Sequence, residues 1–234
     1  MSLRSEIRRR LESRVDKAYL AKISELVPTG SPLLGVRVPE VRALVKEFRE
    51  EHKALSFADA CALVDAQFRT RCREEMLFGT FLLTRYKRYL SPDLWPSIDK
   101  WIDFMDNWEV CDQMAMNIAA PIVGQDSGLS RDLVQWTKSP NVWRRRFSLA
   151  TAAALNQDGR ALVGETLAIC ANLLNDREPT IRKATGWALR EACKTDKDLV
   201  FAFLEKHKAA MHPTVLREGS EKLTAAQRKR LGLR

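Results

Sequence analysis

Apolar residues along this chain recur at intervals of three and four, the spacing of amphipathic helices, and no convincing period-two stretch marks a strand. Leu3 to about Glu25 reads as one charged amphipathic helix, broken by Val27-Pro28-Thr29-Gly30-Ser31-Pro32. Pro39 then stands at a helix start, followed by Val41, Leu44, Val45 and Phe48 on one face. Ser56 is placed to cap a helix over 57–67, with Asp59 in its first turn. Helices of similar length are predicted near 70–88, 92–104, 107–121, 128–137, 141–155, 160–174, 179–194 and 196–207. Asp158-Gly159, Asn175-Asp176 and Thr195-Asp196 punctuate them, and 213–234 reads as one or two short basic helices.

A repeat underlies this order. Segments beginning at Arg71-Cys72-Arg73, Asn107-Trp108-Glu109, Val142-Trp143-Arg144 and Thr180-Ile181-Arg182 overlay with Cys72, Trp108, Trp143 and Ile181 in register, at steps of 36, 35 and 38 residues. Helix pairs at that interval are the signature of HEAT-like units. The expected fold is all-α: a curved α–α superhelix (solenoid) with a basic concave groove. A single domain over 1–234 is expected, with 216–234 a short basic tail or helix. The four matched segments would be its inner helices.

Composition changes the picture in two places. At 45% hydrophobic residues over 234 positions, the chain can bury a full core and is not disordered. A formal charge of +9 points to a polyanionic partner, most simply nucleic acid. The cysteines (Cys61, Cys72, Cys111, Cys170, Cys193) form no Cys-x-x-Cys pair, and His52, His207 and His212 are scattered. Reduced thiols, mostly small core residues, are therefore expected, with no metal site and no disulfide framework. The amino terminus runs straight into Arg4, Glu6, Arg8, Arg9 and Arg10, and no run of about 18 apolar residues exists. A cytoplasmic location without membrane association is expected.

Candidate chemistry sits on the repeated helices. Trp108 and Asp112, four residues apart, project from one face, at the margin of a buried arc of Val110, Met114 and Ile118. That pair is either a half-buried tryptophan beside a solvated aspartate or a site. On the 179–194 helix, Ile181, Ala184, Thr185, Ala188 and Ala192 form the packing face. Trp187 falls opposite, among Lys183, Arg190 and Lys194, covered either by a neighbouring helix or by a nucleic-acid backbone. Arg146 points into an arc of Val142, Trp143, Ala150 and Ala153, where an unpaired charge costs several kcal/mol. Its partner is either Asp112 from the preceding repeat or a phosphate held bidentately. Arg144 and Arg145, near Lys138, add cations. Arg69, Arg71 and Arg73, and later Arg217, Lys222, Arg228, Lys229 and Arg230, extend the basic character to both ends.

These residues carry a resemblance. From Leu34-Gly35-Val36-Arg37-Val38-Pro39-Glu40 to about residue 207 the chain is similar to the AlkD-type DNA alkylation repair glycosylases, built from HEAT-like repeats. The most specific piece is Lys183-Ala184-Thr185-Gly186-Trp187-Ala188-Leu189-Arg190-Glu191, followed by Asn141-Val142-Trp143-Arg144-Arg145-Arg146 and the Trp108/Asp112 pair. Those two residues keep part of a pattern like Trp-Trp-Asp-x-x-Asp, in which Asn107 replaces the first Trp and Glu109 the first Asp.

The resemblance implies a monofunctional enzyme without cofactor. It would remove positively charged alkylated purines, such as N3-methyladenine and N7-methylguanine, from duplex DNA gripped in the groove, without drawing the base into a pocket. Asp112 would be the catalytic carboxylate, Trp108 and Trp187 would pack against the deoxyribose, and Arg146 would hold the phosphate. Arg144, Arg145, Lys183, Arg190, Lys194 and Arg37 are the expected DNA-binding cations. Leu26 and Arg37 fall where relatives carry an aromatic and a polar side chain near the lesion. A cationic base needs no general acid to leave, and one fixed carboxylate can stabilise the oxocarbenium-like sugar. The expected partner is duplex DNA containing alkylated bases, bound by a monomer. A non-excising protein for damaged or branched DNA, or a protein-interaction scaffold, are the alternatives.

Overall fold

The amino-terminal stretch expected as one helix is broken in two by a single cap. In a computed structural model, which describes residues 2–27 and 29–233, α1 spans Leu3–Glu12 and α2 spans Lys17–Leu26. The Asp16 carboxylate accepts the Tyr19 N–H at 2.9 Å, which satisfies one of the orphan donors of the new helix, and the Asp16 N–H donates to the Gly35 carbonyl at 3.0 Å. Gly35 has φ 83°, and a Cβ there would stand 2.6 Å from Leu20 Cβ, so glycine alone fits this crossing. Pro28 of the expected break lies outside the described residues.

The remaining expected helices form with trimmed ends. They are α3 (Val38–Glu51), α4 (Phe57–Phe68), α5 (Arg73–Leu83), α6 (Trp95–Ile102), α7 (Trp108–Met114), α8 (Ala120–Gln125), α9 (Ser130–Trp136), α10 (Val142–Ala154), α11 (Val163–Ala171), α12 (Pro179–Ala192), α13 (Lys197–His207), α14 (Pro213–Gly219) and α15 (Ala225–Arg230). Ser56 caps α4 as its spacing required, accepting the Asp59 N–H at 3.1 Å. Arg71, at φ 57°, sits in the left-handed region and delays α5 to Arg73. Asp158 and Gly159, at φ 52° and 79°, delay α11 in the same way. The predicted 107–121 helix is α7 followed by a π-helical turn at Ala115–Ala119 and then α8. Pro121 in the first turn of α8 lacks an N–H, and a widened turn accommodates the lost bond.

No strand forms among the described residues, and the chain divides into two compact units, residues 1–118 and 119–234. In the first, α5 is buried along its whole length and packs against α3, α4 and α7. Phe48 meets Phe78 edge-on at 5.5 Å and Phe68 stacks on Trp101 at 5.6 Å, each large buried ring contributing roughly 1.5–3 kcal/mol by leaving water. In the second, α10 packs on α12 and α12 on α14, with Ala150, Ala153, Ala184, Ala188 and Ala192 all buried. Small side chains let these helices lie close. The four segments matched in the sequence each begin one helix, α5, α7, α10 and α12, and consecutive members pack together within each unit. The chain is an all-α helical repeat. Cys72, Cys111, Cys170 and Cys193 are buried, as expected of core cysteines.

Candidate nucleic-acid interface

In the first unit the candidate chemistry stands on a helix start fixed from three sides. The buried Asn107 caps α7, its Oδ1 accepting the Val110 N–H at 3.0 Å. Trp108 follows as the first helical residue, 37% exposed, and its indole N–H donates to the Leu26 carbonyl at 3.1 Å. Leu26 is itself 56% exposed, so that bond joins two exposed large apolar residues where one alone would need no explanation. Asp112 is half-buried one turn on, and Val110, Met114 and Ile118 are fully buried, as the spacing predicted.

The third anchor is a buried ion network. Arg73 donates to Glu109 through Nε at 2.6 Å and also through Nη2, and to Glu74 through Nη1 at 2.8 Å. Glu74, fully buried, accepts the N–H groups of Leu34, Gly35 and Val36 at 2.9, 3.0 and 3.3 Å. Burial pulls the Arg73 pKa down, but Glu109 and Glu74 outweigh it and raise it overall. Both departures from the family pattern therefore have structural work: Asn107 caps the helix and Glu109 anchors its first turn. Sequence reading missed the Arg73–Glu109 link, although the two occupy nearly equivalent places one repeat apart with opposite charge. Arg37, expected near the lesion, pairs with Asp16 at 2.8 Å and lies over the Tyr19 ring at 4.8 Å.

In the second unit Arg146 is 9% exposed, and its Nη1 donates to the Thr180 carbonyl at 3.1 Å and to Thr180 Oγ1 at 2.6 Å. Arg145 bonds Asp176 at 3.0 Å and the carbonyls of Ser139 and Pro140 at 2.9 and 3.2 Å, which clips two inter-helix turns together. Arg144 is half-buried with its guanidinium 5.6 Å from the Trp136 ring centre. On α12 the expected packing face is buried throughout, and Trp187 is half-buried. Its neighbour Gly186 lets α14 approach: a Cβ there would lie 2.6 Å from Glu218 Cβ. Lys183 is exposed, whereas Arg190 pairs with Glu221 at 2.9 Å and Lys194 with the buried Glu191 at 2.6 Å. Of the six cations expected on DNA, Arg37, Arg145, Arg190 and Lys194 thus hold carboxylates within the protein.

The surplus charge is unevenly placed. Residues 119–234 hold 20 Lys and Arg against 12 Asp and Glu, residues 1–118 hold 19 against 18, and so the polyanion-attracting excess belongs almost wholly to the second unit. Glu6, Glu51 and His52 bring three ligand-type atoms together, but Arg10 bonds Glu6 at 2.5 Å and Glu51 at 2.9 Å, putting a guanidinium where a cation would sit.

Comparison with known proteins bears on the fold and the family. Among solved structures, a chain described as a predicted DNA alkylation repair enzyme from Enterococcus faecalis superposes with a TM-score of 0.77 at 20% identity, covering 91% of this chain and 98% of that one. At that identity the likeness speaks for the fold. No curated protein matches the sequence. No helix among the described residues is long and apolar enough to cross a membrane. A family model described as DNA alkylation repair enzyme matches residues 7–223, and the chain belongs to that family.

Proposed function

We propose that this protein is a DNA glycosylase that hydrolyses the N-glycosidic bond of positively charged alkylated purines, of the N3-methyladenine and N7-methylguanine type, in duplex DNA. The observation that carries the reading is the Trp108/Asp112 pair: an exposed indole and a half-buried carboxylate on one face of a helix whose start is capped, anchored and tied to Leu26. The bond between C1′ and the base nitrogen breaks with both electrons going to the base, which leaves neutral. Positive charge develops on the sugar, and a fixed carboxylate stabilises it where it forms. Water adds at C1′ and loses a proton, leaving an abasic site. Asp112 is the carboxylate, and Trp108 and Trp187 exclude water and offer aromatic faces to the sugar cation. Arg146, held at Nη1 by Thr180, takes the phosphate. Arg144, Arg145, Lys183, Arg190, Lys194 and Arg37 supply the electrostatic contacts to the backbone, Arg145, Arg190, Lys194 and Arg37 while also holding carboxylates of the protein. The protein acts as a monomer.

Release of N7-methylguanine from duplex DNA tests this. The parent protein should release it, and Asp112→Asn should bind the same duplex while losing release by roughly two to three orders of magnitude, the scale for one preorganised electrostatic group. A second reading, a DNA binder that does not excise, draws on Leu26, an aliphatic side chain beside Trp108 where relatives carry an aromatic. Parent protein that binds alkylated duplex and releases nothing would establish the second reading and end the first.

A further inference from the structure

Several arginines of the first unit are held by carboxylates, and Arg42 is held in another way. Arg8 holds Glu12 and Glu75, Arg10 holds Glu6 and Glu51, Arg14 holds Glu40 and Glu47, Arg69 holds Asp65, and Arg73 holds Glu74 and Glu109. Arg42, on α3, pairs with no carboxylate among the described residues. Its guanidinium carbon lies 3.9 Å from the centre of the buried Phe81 ring, and Nη2 donates to Gln113 Oε1 at 3.0 Å. Gln113 is itself held: Asn117 Nδ2 donates to its carbonyl at 2.8 Å and to Oε1 at 3.2 Å. Asn117 belongs to the π-helical turn that follows α7, a kind of distortion concentrated at functional sites.

Stacking covers one flat side of this guanidinium and the amide fixes one edge. The remaining donors stay on an exposed side chain, in the fork geometry that matches phosphate. Burial alone draws the Arg42 pKa below the ordinary guanidinium value, with no acid to raise it, whereas carboxylate hydrogen bonds raise those of Arg8 and Arg10. An arginine stays charged in a protein. The position is also informative, because Gln113 directly follows Asp112, about 100° further round α7. We infer that Arg42, set by Phe81 and the Gln113–Asn117 pair, is a positioning residue that binds a DNA backbone phosphate beside the Asp112 face of α7. This rests on the DNA reading above, and supplies the near-neutral unit with an anchor of its own for the duplex.

Unmodified duplex binding, titrated against salt, tests the inference without requiring base release. Arg42→Met should bind about tenfold or more weakly, the loss of one charge-assisted contact, and its slope of log affinity on log salt should fall by about 0.9. Arg42→Lys should keep the slope and lose part of the affinity, since an ammonium supplies charge without the planar fork. Gln113→Leu, which frees the guanidinium but keeps its charge, should fall between. Arg14→Met, a charge-matched control, should leave affinity and slope near the parent. Equal losses in Arg42→Met and Arg14→Met would reduce the effect to net charge and overturn the inference. A parent that binds steeply with salt while Arg42→Met binds identically would overturn it and leave the DNA reading standing. A parent with salt-independent or absent duplex binding would overturn both.

Discussion

Residues 1–118 and 119–234 use cations differently. In the first unit acids and bases are nearly equal in number, and among the pairs they form Arg73 with Glu74 and Glu109 is buried and fixes backbone. In the second, 20 bases face 12 acids, so pairs such as Arg190–Glu221 and Arg230–Glu205 still leave cations over. The carboxylate assigned to chemistry, Asp112, lies in the neutral unit, and the surplus that attracts a polyanion lies in the other. The division is physically sensible. A carboxylate that stabilises a developing sugar cation acts at short range, whereas a surplus of cations attracts a polyanion at longer range, so the two need not share a unit. Net charge read over the whole chain locates a partner class and says nothing about where bonds break.

The largest effect that sharpens this contrast is structural. Arg73→Met would strand Glu74, fully buried, and Glu109 without their counter-charge, and removal of one partner of a buried pair costs about 3–5 kcal/mol. A melting temperature far below the parent is expected. Arg190→Met breaks an exposed pair in the second unit and should cost at most about 1 kcal/mol. Similar melting for both variants would erase the distinction between structural and surplus cations.

Next comes binding. Removing Lys183 and Arg144 together should lower the salt slope of duplex affinity by about 1.8, at about 0.9 per phosphate contact, for all sequences alike. Removing Arg14 and Arg69, both held by acids of the first unit, should leave that slope where it was. Equal changes from the two pairs would mean that any cation serves, and the uneven charge map would carry no function.

The sequence made the helices legible through apolar spacing, and the repeat through Cys72, Trp108, Trp143 and Ile181. It also placed the packing face of α12 correctly, because Ile181, Ala184, Thr185, Ala188 and Ala192 obey a local period. What it could not show depends on residues far apart in the chain. Asp16 breaks the first helix only because Gly35 is there to take its N–H, and Glu74 is buried because three N–H groups of residues 34–36 surround it. Nothing in the local spacing of Arg145 shows that Asp176 and two turn carbonyls hold it. Charge is visible in a sequence, and commitment of that charge is not.

The smallest effect concerns Asn107, where the family pattern carries a tryptophan. In the structure Asn107 is buried, its Oδ1 takes the Val110 N–H at 3.0 Å and its Nδ2 donates to Asp106 at 3.3 Å. A buried cap holds a helix start and touches nothing outside the protein. Asn107→Ala should therefore lower stability by about 1 kcal/mol, the usual cost of losing a cap, and Asn107→Ser should recover most of it, because a hydroxyl at the same position can accept the same N–H. Excision should follow stability, with Asn107→Ala slower by less than about tenfold at 25 °C, since fraying of the first turn shifts Trp108 only part of the time. Thermal melting and base release on one preparation separate the two roles. A hundredfold loss of release with an unchanged melting curve would mean that position 107 meets DNA as the family tryptophan does, and the contrast would need redrawing around a neutral unit that binds DNA at this position too.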